Sequence, residues 1–163
     1  AFWVWMSARF GKVSALIFGL FIYIILLIAI FVSLPSVDIM LIAILFVVAG
    51  MTNGAYQQIP WAIYPDLMDI TRSESGDAIE GAFSAIWLFG QKVANAIAPL
   101  ILSLILALFG WRESGEGFTD QVPEALRALQ NSITILPAFI LALAILGLFY
   151  FSRYLSKYPP RRN

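Results

Sequence analysis

The 163 residues contain no cysteine and no histidine. Disulfides, thiol nucleophiles, imidazole bases and Cys/His zinc sites are therefore excluded, and neither a metal nor a cofactor is expected. Charge is scarce as well: only 12% of residues are Asp, Glu, Lys or Arg, and they sum to zero at pH 7. The basic residues form no stripe among aromatics, so nucleic acid is not an expected partner. Apolar side chains are what the chain has in excess, 61% with a mean hydropathy of +0.86, against about 45–50% in an ordinary soluble domain. This composition is that of an integral membrane protein, with the lipid bilayer as its solvent.

The chain opens Ala1-Phe2-Trp3-Val4-Trp5, without methionine and already apolar. The residues after Trp5 lack the charged, apolar, small-residue order of a secretion signal. The opening reads as the interior of a longer protein, although a complete small membrane subunit trimmed at its N-terminus would look similar.

A bilayer core about 30 Å thick needs about 20 apolar residues in a helix. Four runs of that size are bounded by charge, proline or polar clusters, at 13–34, 37–64, 79–109 and 132–154. Pro60, Pro99 and Pro137 fall inside or near the start of three of them, which a membrane tolerates because neighbouring helices can satisfy the freed carbonyls. The expected fold class is an all-α membrane protein of four transmembrane helices. Around the spans lie a loop at 1–12 containing Arg-Phe-Gly-Lys, an acidic linker at 65–78, a loop at 110–131 with a short helix from Pro123, and a tail at 155–163. That short helix reads equally as a membrane-surface element or as an extension of the last span. Arg9, Lys12, Arg72, Arg153, Lys157, Arg161 and Arg162 then share one side, and only Arg112 and Arg127 lie on the other. By the positive-inside rule the first side is cytoplasmic, both termini of the segment included. The expected location is the plasma membrane or the cell inner membrane.

One cation sits within a span. Lys92 lies about 20 Å from the cytoplasmic end of the third span, too deep to snorkel easily. A lysine at the centre of a lone membrane helix costs roughly 2.5–3.5 kcal/mol on insertion scales, so Lys92 should face protein or a wet cavity. Ser84, Leu88, Gln91, Lys92, Asn95, Pro99 and Ser103 recur at three- and four-residue steps, giving this helix one polar face. The second span carries Asn53 and Gln57 one turn apart, and Gly50 and Gly54 in a GxxxG step that favours close helix packing. For the amides, interhelical hydrogen bonding competes with a solute-binding role. Intramembrane ionisable groups mark transport paths often enough that function is the stronger reading of Lys92.

The stretch between the second and third spans carries a pattern: Pro65-Asp66-Leu67-Met68-Asp69, a polar linker, Glu80-Gly81, and Phe89-Gly90-Gln91-Lys92. It resembles the glycoside-pentoside-hexuronide:cation symporter family, the melibiose-permease-like branch of the major facilitator superfamily, whose members read P-D-x-x-D/E, then a T-G-x-R-x-E-G-like segment, then F-x-x-K. Arg9-Phe10-Gly11-Lys12 is similar to the superfamily's cytoplasmic R-x-G-R/K loop. The resemblance implies helices 9 to 12 of a twelve-helix transporter, part of the C-terminal six-helix bundle of a major-facilitator fold. Ala78 and Ala8 depart from the pattern, where an arginine and an acid are common, so the usual cytoplasmic charge pairing is altered.

What the resemblance implies about function is cation-coupled symport of a small-molecule solute, sugar-like or amphipathic, by alternating access. Lys92, Gln57, Trp87, Gln91 and Asn53 would bind solute. Asp66, Asp69, Arg72, Glu80, Arg9 and Lys12 would form a cytoplasmic gate. The coupling cation, Na+ or H+, would be held mainly by carboxylates in an N-terminal half that these residues do not include. The alternative is a small noncatalytic membrane subunit scaffolding a larger complex through its GxxxG face and aromatic surfaces. An intramembrane enzyme ranks last, because Glu80 and Lys92 are about 18 Å apart along one helix and acid–base work needs both within hydrogen-bond reach of one substrate.

Overall fold

The computed structural model describes residues 2–34, 38–75, 80–112 and 120–155. They form helices only: α1 (Phe2–Phe10), α2 (Lys12–Ser33), α3 (Ile39–Ser75), α4 (Glu80–Leu108), α5 (Pro123–Ile133) and α6 (Ile135–Leu155). Four stretches are long and apolar enough to cross a membrane.

The helix ends follow from local chemistry. Asp38 caps α3, its Oδ1 accepting the backbone N–H groups of Met40 at 3.0 Å and Leu41 at 3.1 Å, two donors that a helix start leaves unpaired. Gly110, at φ +77°, ends α4. Its N–H bonds the Ala107 carbonyl and that of Trp111 reaches back to Leu106, the paired bonds of a Schellman ending that require a left-handed residue. Gly11 separates α1 from α2 at φ 88°, ψ 148°, a conformation close to glycine-only. The glycine of Arg-Phe-Gly-Lys is thus a hinge in the backbone.

Three boundaries differ from the sequence expectation. Residues 2–10 are helical where a loop is expected, because no breaker precedes Gly11. α3 runs through Pro60 and Pro65 and on through most of the expected acidic linker to Ser75. Proline's fixed φ suits a helix and each costs one backbone bond, while Leu67, Met68 and Arg72 after Pro65 favour helix. The short helix at Pro123 is a separate element, parted from α6 by Thr134 at φ −124°.

The core lies on α2, which packs against α3, α6 and α1. Trp3 of α1 is wedged between α2 and α3 with Ala15, Leu16, Leu20, Ala55 and Ile59, flanked by Leu141, Ile145 and Leu148 of α6. Its indole N–H donates to the Met51 carbonyl at 3.1 Å. Of the described glycines Gly19 has the least room: an added Cβ would stand 2.5 Å from the Ala55 Cβ and 3.2 Å from Trp3. The GxxxG expectation is corrected here: an added Cβ at Gly54 would make ordinary contact with Trp3 at 3.5 Å and at Gly50 would meet nothing, so the tight contact uses Gly19 of the opposing helix and neither glycine of that step.

α4 stands apart. No residue of its membrane-length stretch Gly81–Leu108 is buried, and it meets the rest of the chain near its two ends.

Candidate functional site

At one end of α2, Lys12 reaches across to α3. Its Nζ lies 2.7 and 2.9 Å from the two carboxylate oxygens of Asp66 and also donates to the Ala62 carbonyl at 2.9 Å. That carbonyl neighbours the one on Trp61 which Pro65, lacking an N–H, leaves without its helical donor. A cleft of about 450 Å³ beside the pair is lined by Ser7, Gly11, Lys12, Ile63 and Asp66 among others. Of the residues assigned to a gate, the structure joins these two. Arg9 instead lies over the Trp5 ring of its own helix, 5.9 Å from the centroid. Asp69 and Arg72 are exposed on the last turns of α3. The Glu80 side chain, like Asp77, lies outside the described residues.

Deeper along the chain, α3 and α4 touch through an aromatic junction. Trp87 meets Trp61 edge-on at 5.9 Å between centroids and Tyr64 at 5.8 Å. The Tyr64 and Ser84 hydroxyls are 2.7 Å apart. Trp87 Nε1 is buried with no acceptor among the described residues, a donor left unpaired at a cost of about 1–3 kcal/mol.

This junction roots two polar stripes. On α3, Tyr64, Trp61, Gln57 and Asn53 follow one another at three- and four-residue steps and share a face. On α4, Ser84, Trp87, Gln91 and Asn95 do the same. Gln57 and Gln91 are exposed and Asn53 is half-buried, and beyond the Tyr64–Ser84 hydroxyl pair no hydrogen bond crosses between the stripes among the described residues. Lys92 is exposed at the edge of the α4 stripe, about 100° round the helix from Gln91 and about 140° from Trp87. It has no hydrogen bond or ion pair among the described residues. Trp61 and Tyr64 belong to the candidate site by their contacts with Trp87 and Ser84, and the sequence reading did not single them out. Their signal is the continuation of the Asn53–Gln57 step by four and then three residues.

At the opposite end of α2, Gln130 of α5 donates to the Phe31 carbonyl at 2.7 Å. This is one of the carbonyls that the helix end leaves unpaired. Gln121 clasps Arg112 by both main-chain groups, at 2.9 and 2.8 Å. With Lys12–Asp66 at one end and these ties at the other, α2 runs antiparallel to both α3 and α6. Arg9, Lys12, Arg72 and Arg153 therefore share an end, and Arg112 and Arg127 share the other. Among the described residues no group of acidic side chains could hold a metal ion.

An all-helical chain with four membrane-length helices and an ionisable side chain within one of them has the build of a segment of a polytopic membrane carrier. The comparisons agree. The family described as MFS/sugar transport protein matches residues 1–154, and the chain belongs to it, in the melibiose-permease-like branch of the major facilitator superfamily. It is 30% identical over 147 residues to the sodium-dependent lysophosphatidylcholine symporter 1 of Xenopus tropicalis, covering 89% of this chain and 27% of that protein. To the uncharacterized symporter YnaJ of Bacillus subtilis (strain 168) it is 30% identical, over 91% of this chain and 31% of the relative. To the glucuronide carrier protein homolog of Escherichia coli (strain K12) it is 26% identical, over 90% and 31%. The chain thus spans about a third or less of the length of these relatives. No solved structure matches it.

Proposed function

We propose that this chain is the C-terminal part of a secondary active transporter, its helices 9 to 12, which moves a small solute by alternating access coupled to Na+ or H+. Lys92 supplies the positive charge of the solute path. Gln91 and Asn95 on α4 and Gln57 and Asn53 on α3 supply hydrogen bonds, and the Trp61–Trp87–Tyr64 junction supplies an aromatic wall. The relatives are named for a lysophosphatidylcholine and a glucuronide. Each solute carries one anionic group, the phosphate of the zwitterionic lysophosphatidylcholine and the carboxylate of the glucuronide, and a lysine among amides and aromatics suits that shared feature. The solute class proposed here is therefore a sugar-like or amphipathic molecule, with any anionic group it bears set against Lys92. The cation site belongs mainly to carboxylates outside these residues.

One observation supports this most: α4, a membrane-length helix with no buried residue, presents Lys92 and a row of amides with no partner among the described residues. A lysine at that depth needs protein or water around it, which further helices enclosing a central cavity provide. In this reading the Lys12 end is cytoplasmic. The Lys12–Asp66 pair braces the mouth there, and Asp69, Arg72, Arg9 and Glu80 complete the gate against the opposing half in the closed state.

The test is solute uptake into proteoliposomes by the full-length protein. Lys92→Ala should abolish uptake while expression and membrane insertion persist. Unchanged uptake kinetics would remove Lys92 from the path.

A further inference from the structure

We propose that the junction of α5 with the end of α2 is a phospholipid site, in which Arg127 holds the headgroup phosphate and the acyl-chain root lies against Phe31 and Val32. A cavity of about 360 Å³ sits there, lined by Phe31, Val32, Arg127, Gln130 and Asn131. Its lining has two chemistries. Phe31 and Val32 belong to the last turn of a helix long enough to cross a bilayer, the depth at which acyl chains give way to headgroups. Val32 is 70% exposed. Arg127 is exposed and has no ion pair or hydrogen bond among the described residues. Glu124, one turn earlier on α5, does not bridge it.

A guanidinium binds phosphate through a two-pronged fork. Asn131, one turn after Arg127 on the same face, adds an amide donor. The Gln130 amide is already committed to the Phe31 carbonyl, and that bond fixes the face of α5 from which Arg127 projects. α5 itself has the build of a helix lying in the membrane interface. Ala125 and Ala128 are buried, Leu126 and Ile133 are exposed and apolar, and Arg127 and Asn131 occupy the polar arc. A free inorganic phosphate would share the guanidinium but have no use for Phe31 and Val32, so the site is assigned to a lipid of the surrounding leaflet. The assignment needs the helices to span a membrane and is independent of what the protein transports.

The experiment uses full-length protein in detergent, offered phosphatidylglycerol, phosphatidylcholine or phosphate-free diacylglycerol, with retained lipid counted by native mass spectrometry. A photoactivatable phospholipid maps the position. Both phospholipids should be retained and diacylglycerol lost, with adducts on the peptides carrying Phe31–Val32 and Arg127–Asn131. Arg127→Gln should weaken retention about tenfold, and Arg127→Lys by less. Phosphatidylglycerol should also raise the unfolding temperature of the unaltered protein more than diacylglycerol does, a readout that needs no variant. Equal retention by Arg127→Gln, adducts mapping elsewhere, equal stabilisation by diacylglycerol, or displacement of the lipid by inorganic phosphate would each overturn the proposal.

Discussion

At the scale of single residues, Gly19 is the described glycine with least room for a side chain. A methyl group there would overlap the Ala55 Cβ at 2.5 Å, with the rigid Trp3 ring at 3.2 Å closing the other side. Neither neighbour is the far end of a flexible chain, so the helices themselves must shift. Gly19→Ala should therefore lower the unfolding temperature of the full-length protein, consistent with an overpacking cost of about 1–3 kcal/mol, and Ala55→Gly in the same chain should restore most of it. Gly50→Ala, which meets nothing within 4 Å, should be neutral or slightly stabilising, since alanine is the better helix former. The same melting experiment separates the two. The Lys12–Asp66 pair obeys different arithmetic. Its side chains are 38% and 54% exposed, and an exposed pair contributes about 0–1 kcal/mol. A double-mutant cycle of Lys12→Ala and Asp66→Ala should yield a coupling of that size, far too little to hold a transporter shut alone. Several such contacts are needed for a gate.

At the scale of elements, α5 acts as a tie bar between helix ends. Its Gln130 side chain satisfies a carbonyl of α2 that helix geometry leaves open. Gln130→Ala should cost about 1 kcal/mol and speed amide exchange across α5 relative to α2, measured by hydrogen–deuterium exchange on the full-length protein. Equal exchange in the two proteins would mean that α5 is held by its buried Ala125 and Ala128 alone. The four membrane-length helices were legible in the sequence because length, proline and charge mark them without reference to anything distant. The start of α3 at Ile39 falls two residues from the expected start of that span at 37 for the same local reason. Gly19 was not, since a glycine among leucines gives no sign of which helix will lie against it. The Gln130–Phe31 bond joins residues 99 positions apart, which no periodicity encodes. The extent of α1 escaped because nine residues are too few for a span, and helical continuation past Pro65 escaped because proline reads as an end even where one lost bond is tolerated. At the candidate site, Lys92 and the amides stood out as polar groups in apolar runs. Trp61 and Tyr64 did not, because aromatics are ordinary in membrane helices.

At the scale of the whole molecule, α4 is a helix suited poorly to lipid and well to a shared interior. Lys92 lies 12 residues past the start of α4 at Glu80, about 18 Å along the axis, and Gln91 and Asn95 add to the polarity around it. Among the described residues no residue of this stretch is buried, so insertion and function should respond to Lys92 in opposite directions. In an insertion assay on α4 alone, Lys92→Leu should favour the membrane-spanning state by about 3 kcal/mol, the difference between a central lysine and a leucine on insertion scales. In the full-length protein the same substitution should leave folding intact and abolish uptake of an anionic solute, because the cation at the centre of the proposed path is gone. Rescue is informative too: arginine at position 92 keeps the charge but not the compact ammonium, and should restore binding of an anion more than leucine does while turnover remains impaired. If Lys92→Leu left α4 insertion unchanged, the lysine would be reaching the interface rather than bearing the cost of the interior. If it improved insertion and spared uptake, the polar face of α4 would serve helix packing and not the solute.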